Sequence, residues 1–318
     1  MLSREQAIRK FNELGAQSQP FYFITDFLGS QTYINDLTAS SKLQVAIDQE
    51  PRISPSPIEL VTHPVDYAEY LRVFNEVQRH IHRGNSFLTN LTFQTPISVD
   101  VSLDVIFNSS RAKYKVLFED LFVCFSPETF VKISETGTIS SFPMKGTIDA
   151  HMENAETRIL NDPKETAEHI TIVDLIRNDL SRVATQVHVP EFRFISEVKT
   201  NRKQLLQVSS KVTGTLLGNW RKTLGSIIFD LLPAGSISGA PKPKTVDIIQ
   251  ENEHISRGFF TGICGHFDGE KLDSGVMIRF IEKHGHDYFY RSGGGITSFS
   301  DPRKEYQEML DKIYVPVY

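Results

Sequence analysis

Cysteine is scarce: Cys124 and Cys264 are the only two in 318 residues, and both fall inside apolar runs. Two thiols in such places exclude the small disulfide-stapled folds and suit a reducing compartment. A basic excess is lacking as well. With 34 Lys and Arg against 39 Asp and Glu, the formal net charge is -5, so the overall balance offers nothing to a phosphate backbone and no nucleic-acid partner is expected. An anionic substrate would need a local positive or metal-bearing site. No stretch approaches the ~20 apolar residues that span a bilayer, and the charged segment from Met1 to Leu14 lacks the apolar core of a signal peptide. A cytoplasmic protein with no membrane partner is the expectation. Long Pro, Gly or Ser linkers, low-complexity tracts and internal repeats are also missing, which predicts one domain over residues 1–318 with an N-terminal helix inside residues 1–19.

What is present is an ordinary globular composition, 40% hydrophobic and 23% charged. Residues 3 to 14 and 66 to 83 read as helices; in the second, Tyr67, Tyr70, Leu71, Phe74, Val77 and Ile81 share one face. Further helices are expected near 165 to 183, 221 to 232, 242 to 252 and 302 to 314. Short aromatic or β-branched runs bounded by turn residues predict strands over 20–26, 43–47, 86–97, 114–118, 121–125, 130–134, 205–216, 258–267 and 274–281. Strands that follow one another through short turns imply antiparallel sheets, and helices grouped between such runs favour α+β over a Rossmann fold.

Two helices open alike. Asp162-Pro163-Lys164-Glu165 combines an N-cap acceptor, proline at the first helical position and a glutamate three residues after the cap, and Asp301-Pro302 repeats the opening. The first helix carries Glu165 and Glu168 with His169 beside them; the second carries Glu305 and Glu308 with Lys312 one turn on. Spacing alone permits two solvated faces, with Glu308 pairing Lys312. It equally permits a site where the carboxylates converge as oxygen ligands of the kind Mg²⁺ prefers.

Several turns carry chemistry-bearing residues. Residues 233–242 hold Gly235, Gly239 and Lys242 between two helices but lack the Gly-Lys-Ser/Thr ending of a nucleotide loop, leaving backbone N–H groups to offer a carboxylate. Ser292 to Ile296, with Gly293 and Gly295, reads either as close backbone approach to a ligand or as a plain tight turn. Gly262 to His266 faintly suggests an amidotransferase elbow, but its glycine spacing is wrong and Cys264 reads as a buried strand residue. In Pro143-Met144-Lys145-Gly146-Thr147 a partly desolvated Lys145 would have a lowered pKa and a nucleophilic neutral amine. Glu128 closes the apolar run 121–125, where burial would raise its pKa and suit it to general-acid work.

These segments, together with Asp174 to Asp179, Arg257-Gly258, Thr261-Gly262 and Ile278-Arg279, occur in an order that resembles the chorismate-utilising enzyme family from about Pro20 to Ile313. The resemblance implies an α+β fold of two packed, mostly antiparallel sheets surrounded by helices, and a single chorismate-binding catalytic domain. It implies Mg²⁺ as cofactor, held by Glu168 and Glu308 directly and by Glu165 and Glu305 through water. Within the family the lysine separates branches: anthranilate synthases have a small residue where Lys145 stands, and isochorismate synthases have a lysine where this chain has Thr89. The implied branch is the one that aminates chorismate to 4-amino-4-deoxychorismate, with anthranilate formation and a non-catalytic chorismate-binding regulator as alternatives.

On that resemblance Lys145 attacks ring C2 while Glu128 protonates the departing C4 hydroxyl, and ammonia then adds at C4. Arg279 and the backbone at Gly295 would hold the enolpyruvyl carboxylate, and Thr147 and Lys312 would lie near the ring carboxylate. Gly146, Gly293, Phe260 and Gln207 complete the expected substrate contacts. Phe260 stands where relatives often have tyrosine, and Gln207 where many have histidine. The ammonia is expected from a separate glutamine amidotransferase subunit. The N-terminal region that longer relatives use for a regulatory tryptophan is mostly lacking, so tryptophan control is not expected.

Overall fold

A computed structural model describes residues 1–35, 42–54, 57–199 and 204–317. Helix α1 (Arg4–Ala16) leads into β1 (Phe21–Thr25), β2 (Thr32–Asn35), β3 (Leu43–Ile47), β4 (Val61–Thr62) and α2 (Tyr67–His82). Next come β5 (Leu88–Ser98), α3 (Leu103–Ser109), β6 (Tyr114–Phe118), β7 (Phe122–Ser126), β8 (Thr129–Ile133), β9 (Thr138–Ser141) and β10 (Met144–Asp149). Helices α4 (Ala155–Asn161) and α5 (Pro163–Leu180) precede the long pair β11 (Ala184–Lys199) and β12 (Gln204–Leu216). The chain continues through α6 (Leu224–Asp230), β13 (Gly239–Ala240), α7 (Lys242–Asn252), β14 (Ile263–Phe267), β15 (Leu272–Val276), β16 (Phe280–His284), β17 (Asp287–Ile296) and α8 (Pro302–Asp311).

The strands make two antiparallel sheets. One runs β10-β12-β9-β8-β15-β14-β1-β2 with β11 on β12; the other runs β13-β5-β17-β16-β7-β6-β3 with β4 on β5. The expected α+β architecture is therefore present. Strands β6 and β7 are buried along their whole length, including Lys115 of β6, whose ammonium donates to the Ser110 carbonyl at 3.0 Å. The sheets meet where Tyr114 of β6 lies over Gly275 of β15: a methyl on that glycine would sit 2.4 Å from the tyrosine Cγ. The Tyr114 hydroxyl donates to Asp273 at 2.7 Å, which satisfies a polar group that burial would otherwise penalise. Helices α1 and α6 close the first sheet through Phe11, which meets Phe21, Phe23 and Phe229 edge to face at 4.8 to 5.7 Å. Helices α2 and α8 close the second through Tyr70, Phe74, Val77 and Met309.

Several expectations need correction. The strand predicted over 258–267 begins only at Ile263, because Gly258 and Thr261 take positive φ values of 52° and 61° and break the extension. The strand predicted over 274–281 is two strands in different sheets, parted at Arg279 with φ 55°. The run Ser292 to Ile296 is not a turn but the end of β17, where Gly293 lets β5 come close: a Cβ there would lie 2.1 Å from the Leu91 carbonyl oxygen. The segment 143–147 likewise joins strand β10, and the helix expected from 221 opens with a single tight turn at Trp220–Thr223 before α6.

Candidate active site

Lys145 and Gly146 sit at an irregularity of β10, whose register with β12 shifts between Met144 and Thr147. Such a break re-aims a side chain out of the regular alternation. Gly146, at φ 96°, is needed there: a Cβ would lie 2.9 Å from Glu165 Oε2. The Lys145 ammonium forms an ion pair with Glu168 Oε2 at 2.8 Å. Both carboxylates come from α5, started by Asp162, whose side chain accepts from the Glu165 N–H at 3.0 Å.

The helix is fixed to the lysine strand by His169, which is fully buried. Its Nδ1 lies 3.3 Å from the Lys145 carbonyl oxygen and its Nε2 2.7 Å from Ser210 Oγ. A neutral imidazole meets both, donating from Nδ1 and accepting at Nε2, and burial lowers its pKa in the same direction.

Across the cavity, α8 presents its own pair. A methyl on Gly294 would touch Glu305 Oε2 at 3.6 Å, Glu308 Oε1 at 3.7 Å and Lys312 Nζ at 3.7 Å, so these groups gather over one backbone atom. Lys312, at the helix C-terminus, binds Glu308 at 2.7 Å and donates to the Gly293 carbonyl at 2.7 Å. Burial lowers its pKa, with the Arg279 and Lys145 charges adding to the effect. Glu305 is buried behind Glu308.

Glu128 lies at the junction of β7 and β8, its backbone carbonyl accepting from the Val276 N–H at 3.0 Å. Burial raises its pKa, while Ser236, Arg279 and Lys312 hold the rise back. Ser236 donates directly to Glu128 Oε1. Arg279, on the crossover between the sheets, is half-buried, its Nε is buried with no partner, and its guanidinium lies 5.6 Å from the Tyr314 ring. A half-buried guanidinium on a cavity wall, with one nitrogen unpartnered, suits an anionic ligand.

One cavity of about 1670 Å³ is lined by Glu128, Lys145, Gly146, Thr147, Glu165, Glu168, Gln207, Phe260, Arg279, Gly293, Gly295, Glu308 and Lys312. The sequence-predicted residues thus come together, Glu305 alone lying behind the lining. Two points differ from expectation. Lys145 is not lowered: burial acts that way, but Glu168, with Glu308 and Glu165, more than offsets it and the pKa is raised. Nor do the carboxylates form a ready cage, since among the described residues no three acidic, His or Cys side chains stand together as metal ligands. Instead the lysines Lys145 and Lys312 occupy the carboxylates. Ser236 and His169 bind two of the site's residues, and neither role was legible in spacing, because each acts across elements far apart in the chain.

Residues 8–317 match the family described as chorismate binding enzyme. A PabA-like protein of Pasteurella multocida is 45% identical over 324 residues, spanning 99% of this chain and 100% of that one. Component 1 of aminodeoxychorismate synthase from Bacillus subtilis is 29% identical, spanning 94% of this chain and 66% of that one. The menaquinone-specific isochorismate synthase of Escherichia coli superposes with a TM-score of 0.74 at 16% identity, covering 98% of this chain and 81% of that one, which speaks to the fold alone. The motifs that converge on the cavity and a family match over nearly the whole chain lead to one conclusion: this protein belongs to the chorismate binding enzymes.

Proposed function

We propose that the protein is component I of an aminodeoxychorismate synthase, aminating chorismate with ammonia to 4-amino-4-deoxychorismate for 4-aminobenzoate and folate synthesis in the cytoplasm. The observation that carries this is Lys145: a primary amine inside the acidic end of a cavity that also holds the buried carboxyl of Glu128 and the unpartnered Nε of Arg279. An enzyme that only added water or ammonia directly would not require an amine there. Thr89, where water-adding relatives carry lysine, is buried and its hydroxyl donates to Ser86 at 3.1 Å, so it offers no base.

The substrate is a dicarboxylate, which Arg279 would bind at the enolpyruvyl end and Lys312 near the ring carboxylate. Glu128, whose pKa burial raises, gives its proton to the C4 hydroxyl, which departs as water while the Lys145 amine bonds to C2 and the ring double bonds shift. Ammonia then bonds to C4, the bond to Lys145 breaks, and the double bond returns. Lys145 must lose its proton first; burial favours this and the ion pair to Glu168 opposes it, so drawing Glu168 into another contact frees the amine.

The donor set suits a hard divalent cation, because the acidic ligands are carboxylate oxygens and Glu165, Glu168 and Glu308 border one cavity, with Glu305 beside Glu308 near Gly294. Mg²⁺ held by Glu168 and Glu308, with Glu165 and Glu305 through water, would supply Lewis-acid withdrawal through the ring carboxylate. A separate glutamine amidotransferase subunit is the proposed ammonia source. The test is incubation of the purified chain with chorismate, ammonium and Mg²⁺, and again with a chelator. Mg²⁺-dependent 4-amino-4-deoxychorismate, identified by mass, is expected; anthranilate, isochorismate or no turnover would overturn the proposal.

A further inference from the structure

The glycine-rich turn between α6 and α7 has no part in the chemistry assigned so far, yet its residues converge on Glu128. Ser236 donates to the Glu128 carboxylate. At the far end of the turn, Lys242 Nζ donates to Asp179 Oδ2 at 2.7 Å and to the Leu231 carbonyl at 2.9 Å. Asp179 belongs to α5, so the pair ties that helix to both ends of the turn. Gly235 makes room for it: a Cβ there would lie 2.7 Å from Asp179 Oδ2. Ser238 Oγ closes the turn on the Ala234 carbonyl at 2.9 Å. Glu128, Asp179, Gly235 and Ser236 line one small cavity of about 20 Å³, room for about one water, so the acid and the Asp179 end of the ion pair share one small space.

Asp179 and Lys242 are only 9% and 10% exposed. Burial pushes the carboxyl up and the amine down, each toward its neutral form, despite their mutual attraction. A pair desolvated to that degree adds little to stability and is often replaceable by apolar residues. Its contribution is geometric. We propose that Asp179 and Lys242 are positioning residues that hold the turn 234–238 so that Ser236 fixes the Glu128 carboxyl for proton donation. This rests on Glu128 being the proton donor of the proposed reaction.

Glu128 is faced by Ser236 from the turn, Arg279 from the sheet crossover and Lys312 from α8, with Asp179 lining the same small cavity. Ser236 favours the ionised carboxylate, so its loss moves the pKa of Glu128 upward. Ser236→Ala is therefore expected to lower kcat about tenfold to a hundredfold, to change the chorismate KM less than about twofold, and to move the alkaline limb of the kcat profile to higher pH. Ser236→Thr should restore both. The double variant Asp179→Leu with Lys242→Met is expected to melt no lower than the native protein while reproducing the loss in kcat and the displaced limb. If it does not fold, Lys242→Arg serves instead, since a guanidinium cannot place one nitrogen on both Asp179 and Leu231; a displaced limb is again expected. Native kcat and pH profile in these variants, or a loss with an unmoved limb and no rescue by threonine, would overturn the proposal. Glu128→Gln separates the two levels: an active Glu128→Gln defeats the proton-donor assignment and this proposal with it, whereas an inactive one beside native-like Ser236→Ala defeats the positioning alone.

Discussion

Lys145 is under two opposed demands. In the proposed reaction it must be neutral to attack carbon, yet in the free protein it is paired at 2.8 Å with Glu168 and its pKa is raised. The pairing favours the protonated amine. If the amine is the nucleophile, Lys145→Ala should slow ammonia-dependent product formation by orders of magnitude, since loss of a covalent route costs several kcal/mol of barrier. Lys145→Arg should do nearly as badly, because guanidinium keeps the ion pair but stays protonated. Single-turnover kinetics of both variants, with intact-protein mass spectrometry of the native protein quenched during turnover, check this; arginine rescue without an adduct on Lys145 would count against covalent catalysis. Lys145 and Glu128 could be picked out in the sequence because a lysine in a Gly-Thr segment and a carboxylate after an apolar run are locally unusual. The direction of the lysine shift could not, because it depends on Glu168, Glu165 and Glu308, which reach Lys145 only through the tertiary fold.

At the level of elements, what positions the site is the departure from regular structure. Strand β10 breaks register at Lys145, the chain changes sheets at Arg279, and the glycines of β17 admit β5 on one side and the α8 carboxylates on the other. Helices were legible because their caps and apolar faces are local; α3 and α4 are too short to show a period. The glycine run of β17 left a turn and close backbone approach both open because glycine signals conformational freedom in sequence, and here it serves close approach between extended strands. The contact of Tyr114 with Gly275 is the element-scale lock between the sheets. Gly275→Ala forces a methyl into the base of that ring, not into a flexible chain end, and should destabilise the protein by about 1–3 kcal/mol. Urea unfolding followed by tryptophan fluorescence measures it; an unchanged midpoint would show that the sheets separate freely at this point.

For the molecule as a whole, both cysteines belong to the core. Cys124 and Cys264 are fully buried, and burial pushes the Cys264 thiol up to about 12 and that of Cys124 well above its ordinary value. Neither can act as the thiolate that hydrolyses glutamine. The purified chain alone should therefore turn over chorismate with ammonium and show no glutamine-dependent activity, as product assays with each nitrogen source would reveal; glutamine-dependent turnover would point to a nucleophile elsewhere in the chain. The cavity also joins distant parts of the sequence. Strand β17 pairs Ile296 with Thr89, β14 pairs Phe267 with Phe21, and Glu308 of α8 shares the cavity with Glu165 and Glu168 of α5. During synthesis, then, β5 emerges from the ribosome long before its partner exists, and its apolar face waits uncovered. Contacts of such wide sequence separation form late and slowly, so the nascent protein has a vulnerable interval in which chaperones have most to do, and a chain interrupted before α8 carries Glu128, Lys145 and Glu168 without the opposing wall that makes them a site.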